Sequence, residues 1–151
     1  MAATPRESIE MDFSVIDEDY SRYQLGDGTL LKVKVVVKKI FRSPQTTPQG
    51  YPTGVGIDSE NAVAAIVPDR LKREPSKERM DYTKDVGEEV KFAAEEERWQ
   101  SYIVRDGFKI LVKPIVTKVI RYQKYNDYGE PIYSANIQSI INIEKAAKSA
   151  P

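Results

Sequence analysis

The sequence predicts an all-β protein with an internal tandem duplication, at an offset of 79, of a four-stranded unit. The two units are expected to form either two small barrels or one pseudo-twofold eight-stranded barrel or sandwich. Three observations predict this: a long stretch recurs at constant spacing, apolar residues in both copies alternate with polar ones, and each copy carries an Asp-Gly pair between apolar-rich runs.

The repeat is read most directly in YQLGDGTLLKVKVVVKKIFR, from Tyr23, and YIVRDGFKILVKPIVTKVIR, from Tyr102. Without a gap the two copies share thirteen identities over the 43 positions from residue 10 to 52. Chance gives about three, at roughly 6% per position. The identical positions include Glu10, Phe13, Glu18, Tyr23, Asp27, Gly28, Val33, Lys34, Val37, Lys39 and Arg42, which fall on Glu89, Phe92, Glu97, Tyr102, Asp106, Gly107, Val112, Lys113, Val116, Lys118 and Arg121.

The first element of each unit is a half-buried strand. Met11, Phe13 and Val15 alternate with polar residues, and Val90, Phe92 and Ala94 occupy the same positions; this favours strand over the helix that Asp85 and Glu88 would cap. A short acidic stretch follows, Ile16 to Asp19 or Glu95 to Arg98, then an aromatic residue, Tyr20 or Trp99, and a strand ending in Asp-Gly. That dipeptide signals a hairpin, because the turn needs a positive φ that Gly adopts without steric cost.

The long strand after the turn changes face partway along. Leu31, Val33, Val35 and Val37 share one face, and Val36 and Ile40 then take the apolar role beside Phe41. Pro114 stands where Val35 stands in the first copy, and proline cannot donate to a ladder, so a bulge or bend is expected near Val35 and Pro114. The last strand is Tyr133 to Ile143, with Tyr133, Ala135, Ile137, Ile141 and Ile143 facing one way and Asn136, Gln138 and Asn142 the other. Its first-copy counterpart is expected at Ala62 to Val67, displaced by insertions in the Gly-rich loop. The organisation is then an N-terminal tail (1–9), a first β-unit (10–68), a charged linker (69–88) with room for a helical turn around Pro75 to Met80, a second β-unit (89–144) and a frayed C-terminal tail (145–151).

Composition removes whole classes of chemistry. With no Cys and no His, disulfides, thiolates, imidazole acid-base catalysis and the usual zinc and copper sites are excluded, and no cofactor or metal is expected. The 23 basic and 23 acidic side chains cancel, so any charged partner must meet a local patch. The amino terminus lacks the apolar stretch of a signal peptide, and Ala62 to Val67 is too short to span a bilayer; a cytoplasmic protein with no membrane partner is expected.

Local motifs are weak. The loop PQGYPTGVG lacks the Gly-Lys-Ser/Thr of a phosphate cradle, and Asp17, Asp19 and Ser21 have calcium-loop spacing but Arg22 at the sixth position and Gly28 at the twelfth. The runs Asp17/Glu18/Asp19 and Glu95/Glu96/Glu97 are the only acid-base equipment and read as solvated turns or as contact features of the repeated unit; a carboxylate-based hydrolase is a remote alternative. More pointed is the run RYQKYNDYGEPIY, in which Tyr122, Tyr125, Tyr128 and Tyr133 surround Arg121 and Lys124. Interleaved aromatics and cations suit a protein interface, and they also suit stacking on bases.

The expected function is therefore non-enzymatic: an accessory or assembly subunit, or a homo-oligomer, acting through sheet edges and the Tyr-rich loop. Its candidate partner contacts are Arg121, Tyr122, Lys124, Tyr125, Tyr128 and Tyr133 with the strand cations Lys34, Lys39, Arg42, Lys113 and Lys118. The alternative is an OB-like or Sm-like nucleic-acid binder using Lys32, Lys34, Lys113, Lys118, Arg121 and Tyr122.

Overall fold

A computed structural model describes residues 8–145, which contain ten strands. In chain order these are β1 (Ile9–Met11), β2 (Phe13–Asp17), β3 (Ser21–Leu25), β4 (Leu30–Arg42), β5 (Val55–Ile66), β6 (Gly87–Glu89), β7 (Phe92–Glu96), β8 (Gln100–Val104), β9 (Phe108–Tyr125) and β10 (Pro131–Lys145). They form two five-stranded sheets, antiparallel throughout. In the first, β5 runs along one side of β4, β3 and β1 share its other side, and β7 pairs beyond β3. In the second, β10 runs along β9, β8 and β6 share the opposite side, and β2 pairs beyond β8.

Neither sheet closes, so the barrel expectation is corrected. Among the described residues no strand pairs with the outer edge of β5 or of β10. The sequence also undercounts the strands of each half. At Asp12 the chain steps from the first sheet to the second, and at Val90–Lys91 from the second to the first, so what reads as one alternating strand serves two sheets. The remaining expectations shift modestly. β5 begins at Val55, well before Ala62, because β4 supplies a full-length ladder; Val55 faces Arg42 as Tyr133 faces Arg121, so the loop before β5 carries a single inserted residue. The linker's only helical turn among the described residues is a 3-10 turn at Asp69–Leu71, not at Pro75 to Met80. Of the expected tails, Ile9 belongs to β1 and Lys145 to β10; residues 1–7 and 146–151 lie outside the described residues.

The registers of the two sheets correspond at a spacing of 79 residues. Ser21 pairs with Val33 as Gln100 does with Val112, and Phe13 pairs with Val104 as Phe92 does with Leu25. Each long strand carries an extra residue against its edge partner at the same place, Lys38 in β4 and Thr117 in β9, and β9 has a second irregularity at Gln123 and Lys124 near the hairpin end. This places the bulge three residues beyond Val35 and Pro114, where it was expected. Pro114 is buried and in register opposite Ser139. The buried set runs Leu31, Val33, Val35, Val37, then Ile40, and in the other sheet Ile110, Val112, Pro114, Val116, then Val119. A residue inserted between the last two members of each set reverses the inward parity.

The two sheets share two apolar clusters. Tyr23, Leu25, Leu31 and Val33 from the first sheet meet Val116 and Val119 from the second, with Val90 beside them. Val35, Val37 and Ile40 meet Tyr102, Val104, Ile110 and Val112 in the other. Each contains a buried tyrosine that reaches a carboxylate of the opposite half: Tyr23 Oη donates to Glu97 Oε2 at 2.6 Å, and Tyr102 Oη to Glu18 Oε2 at 2.9 Å. Burial, reinforced by the Glu97 carboxylate, pushes the Tyr23 hydroxyl up to about 12, and burial with Glu18 moves Tyr102 the same way, so both remain donors.

Along β4, between its pairings with β3 and β1, the ladder has a gap. Gln100 fills it: its Oε1 accepts from Val35 N at 2.8 Å and its Nε2 donates to Val35 O at 2.6 Å. The counterpart of Val35 is Pro114, which has no N–H to satisfy, and the counterpart of Gln100 is Ser21, whose Oγ accepts from Arg98 N instead. Sequence choice and backbone demand thus change together. Gln100→Leu, close to isosteric, leaves two buried main-chain groups without partners and is expected to destabilise the fold by about 3 kcal/mol in urea titration. Tyr23→Phe, which strips Glu97 of its donor and the buried Val116 N of its acceptor, should cost about 2 kcal/mol in the same titration.

Candidate interaction surface

The Asp-Gly turns do more than reverse the chain. Gly28 has φ 94° and Gly107 φ 93°, and neither Asp has a positive φ. The turn places its left-handed residue at Gly alone. Asp27 is thereby left to use its side chain. Oδ1 accepts from Thr29 N at 2.9 Å, and Oδ2 accepts from Tyr133 Oη at 2.6 Å and from Arg121 Nη1 at 2.9 Å. Arg121 also donates to Glu88 Oε2 at 3.1 Å, and Arg70 donates to the Asp27 carbonyl. The Asp27 side chain is only 8% exposed. Burial alone would raise its pKa, but hydrogen bonds from Tyr133, Thr29 and Arg121 outweigh burial and hold it below the usual carboxylate value. Tyr133 is correspondingly pushed up to about 12 by burial and by Asp27.

The equivalent pair in the other half is looser. Arg42 Nε lies 3.4 Å from Asp106 Oδ2 but is buried without an aligned hydrogen bond. Around it, Val55 and Phe108 occupy the positions of Tyr133 and Thr29, so the polar network is replaced by apolar contacts. A cavity of about 10 Å³ there has room for one water and no larger ligand.

These contacts redistribute the residues the sequence singles out. Arg42, Arg121 and Tyr133 are clamps between the halves. Lys34 lies over the Tyr20 ring at 4.8 Å, and its counterpart Lys113 over Trp99 at 5.4 Å; Lys32 shares the Tyr20 face at 4.7 Å. Lys39 pairs with Glu10 at 3.6 Å, whereas Lys118 is exposed. The Tyr-rich segment is covered in part by the chain's own linker: Tyr122 packs edge-on against Tyr82 with centroids 5.5 Å apart, Tyr125 N donates to Ser76 Oγ at 2.8 Å, and Lys124 pairs with Glu78 at 3.5 Å and Asp85 at 3.8 Å. Only Tyr128, at the tip of the β9–β10 hairpin and 81% exposed, presents a whole ring outward among these tyrosines. The acidic runs are likewise engaged, with Arg98 gathering Asp17, Asp19 and Glu96.

Among the described residues the sheets end on the short outer strands β2 and β7 on one side and on the long strands β5 and β10 on the other, and the long pair offers the most edge. β5 and β10 each lie at the margin of a sheet, and each exposes an apolar residue at an inward register position, Val63 opposite Val33 and Ile141 opposite Val112, at 46% and 41%. Their chemistry differs. β5 carries Asp58 and Glu60, both reached by Lys38. β10 carries no charge from Pro131 through Ile143 and exposes Ile140 on its outward face at 46%. The sequence names the alternation of this strand but not its marginal position, which only the sheet order supplies.

Among the described residues no helix is long and apolar enough to cross a membrane. Compared with known protein families, characterised proteins and solved structures, the chain matches none.

The two clamps predict a measurable asymmetry. Because the folded pKa of Asp27 is depressed, its contribution is complete above the unfolded carboxylate value near 4 and is lost as pH falls through the folded value. Asp27→Asn is expected to cost about 3 kcal/mol at pH 7, with the difference from wild type shrinking below about pH 4. Asp106→Asn, at the more exposed pair, should cost about 1 kcal/mol. Denaturant titrations across pH check both.

Proposed function

We propose that the chain is a tandem duplication that works as a non-enzymatic assembly or accessory subunit, associating through the edge of β10 and the adjoining Tyr128 hairpin. The constant-spacing registers support the duplication. The observation that carries the association is that no described residue protects the edge of β10: a 15-residue strand at a sheet margin, uncharged over the thirteen residues before Glu144, where the counterpart edge has Asp58 and Glu60. Edge strands of soluble proteins are normally defended by charge, proline within the strand or covering loops, and an undefended one is a template for a further strand. Added main-chain hydrogen bonds would supply affinity and the alternating side chains specificity. Tyr128, exposed where β10 begins, adds an aromatic contact of the type that dominates interface energies.

The nucleic-acid reading has less support. Of the cations it needs, Arg121 is committed to Asp27 and Glu88, and Lys32, Lys34 and Lys113 lie over aromatic rings. Few cations are left on one surface to neutralise several phosphates together. The same engagement of the acidic runs by Arg98, Tyr23 and Tyr102 leaves the hydrolase reading without an available carboxylate pair.

Hydrogen exchange on the protein in extract of its native host, against the purified chain, tests the association reading. Slower exchange of the Ile137 to Ile143 amides in the extract is expected, together with its loss in Tyr128→Ala/Gln138→Lys. Unchanged exchange along β10 with protection elsewhere would overturn it.

A further inference from the structure

We infer that the occupant of the β10 edge is the same strand of a second copy of this chain, paired antiparallel about a twofold axis at Ile140. This rests on the reading of β10 as an association edge and adds the identity of the partner. Its ground is the sequence of the exposed strand, Ile137-Gln-Ser-Ile-Ile-Asn-Ile143, which is close to palindromic in chemistry about its centre. In a twofold antiparallel pair, residues directly opposite share a face. With the axis at Ile140, the outward face matches Ile140 with itself, Gln138 with Asn142 and Asn136 with Glu144. The inward face matches Ile137 with Ile143 and Ser139 with Ile141. Ile137 meets Ile143 and amide meets amide, Glu144 finds an amide donor, and the one unlike pair is the small Ser139 against Ile141.

Face assignment follows from the register: Ile140 lies opposite Lys113 on the outer face and Ile141 opposite the buried Val112 on the inner one. The pairing therefore joins two five-stranded sheets into one continuous sheet of ten and covers the half-exposed Ile141 by extending each core past its margin. The counterpart edge lacks this property. A twofold pair of β5 centred on Ser59 sets Asp58 against Glu60, and centred on Ala62 sets Glu60 against Ala64. One nine-residue strand pair is a small interface, so the dimer is expected to depend on concentration.

Light scattering and sedimentation of the purified full chain from about 1 µM to about 500 µM test this. Wild type should pass from monomer to dimer, and the Ile137 to Ile143 amides should gain exchange protection in step. Ile140→Glu, at an exposed position opposite Lys113 that leaves the fold's circular dichroism and Tm intact, should weaken the dimer at least about tenfold by placing two carboxylates face to face on the axis. Ala62→Glu, the equivalent position on β5 opposite Lys34, should leave it unchanged. A strict monomer at the highest concentration, a dimer undiminished by Ile140→Glu, or equal loss in both variants would overturn the inference. If the purified chain is monomeric yet β10 amides are protected in host extract, the self-pairing fails and the edge reading stands; if they are exposed in both settings, the edge reading fails as well.

Discussion

Two buried tyrosine hydroxyls, each hydrogen-bonded to a carboxylate carried by the opposite half of the chain, fasten a structure in which neither half completes its own sheet. β2 leaves the first sheet to pair with β8, and β7 leaves the second to pair with β3. Glu18 and Glu97 sit at the ends of those exchanged strands and are met by Tyr102 and Tyr23. A chain of this size must bury a large share of its apolar surface to be stable, and each half alone would leave its cluster without the facing strands. Reciprocity solves this, since every surface exposed by lending a strand is covered by the strand received.

That arrangement consumes most of the polar equipment that invites a functional reading. Arg121 and Arg42 reach across to the Asp-Gly turns of the opposite half, Gln100 replaces a missing ladder bond, and the acidic runs bind tyrosine and Arg98. A charged or aromatic residue that already holds two elements together is poorly placed to hold a ligand as well, because leaving its partner unpaired in a buried position costs more than a typical surface contact returns. Margins of the sheets are what the fold leaves over, and β10 is the margin with the least to prevent further pairing.

Much of this was legible in the sequence, and the limits are instructive. Period-two alternation identified the strands, and Asp-Gly located both hairpins. The recurrence of Glu18, Tyr23, Asp27 and Arg42 at Glu97, Tyr102, Asp106 and Arg121 already marked the eight residues that now make the contacts between halves; what it lacked was the pairing, which depends on which sheet each strand joins. Alternation runs unbroken through Asp12 and Lys91, so the change of sheet there left no trace in periodicity. The bulge was readable from the parity change between Val37 and Ile40 and between Val116 and Val119. Pro114 drew attention away from it, although proline is tolerated there because the ladder gap asks nothing of its nitrogen. The Tyr-rich segment misled for another reason. Its rings look available in one dimension, but Ser76, Glu78 and Tyr82 of the linker fold back onto it.

The claim on which the rest depends is that the halves are mutually required. Producing residues 1–72 and 73–151 as separate chains tests it most directly, with circular dichroism and hydrogen exchange recorded for each alone and for the mixture. Each half alone is expected to lack protected β amides, and mixing should yield a one-to-one complex with the protection pattern of the intact protein. A half that folds cooperatively by itself, with its own strand pairs protected, would contradict the account.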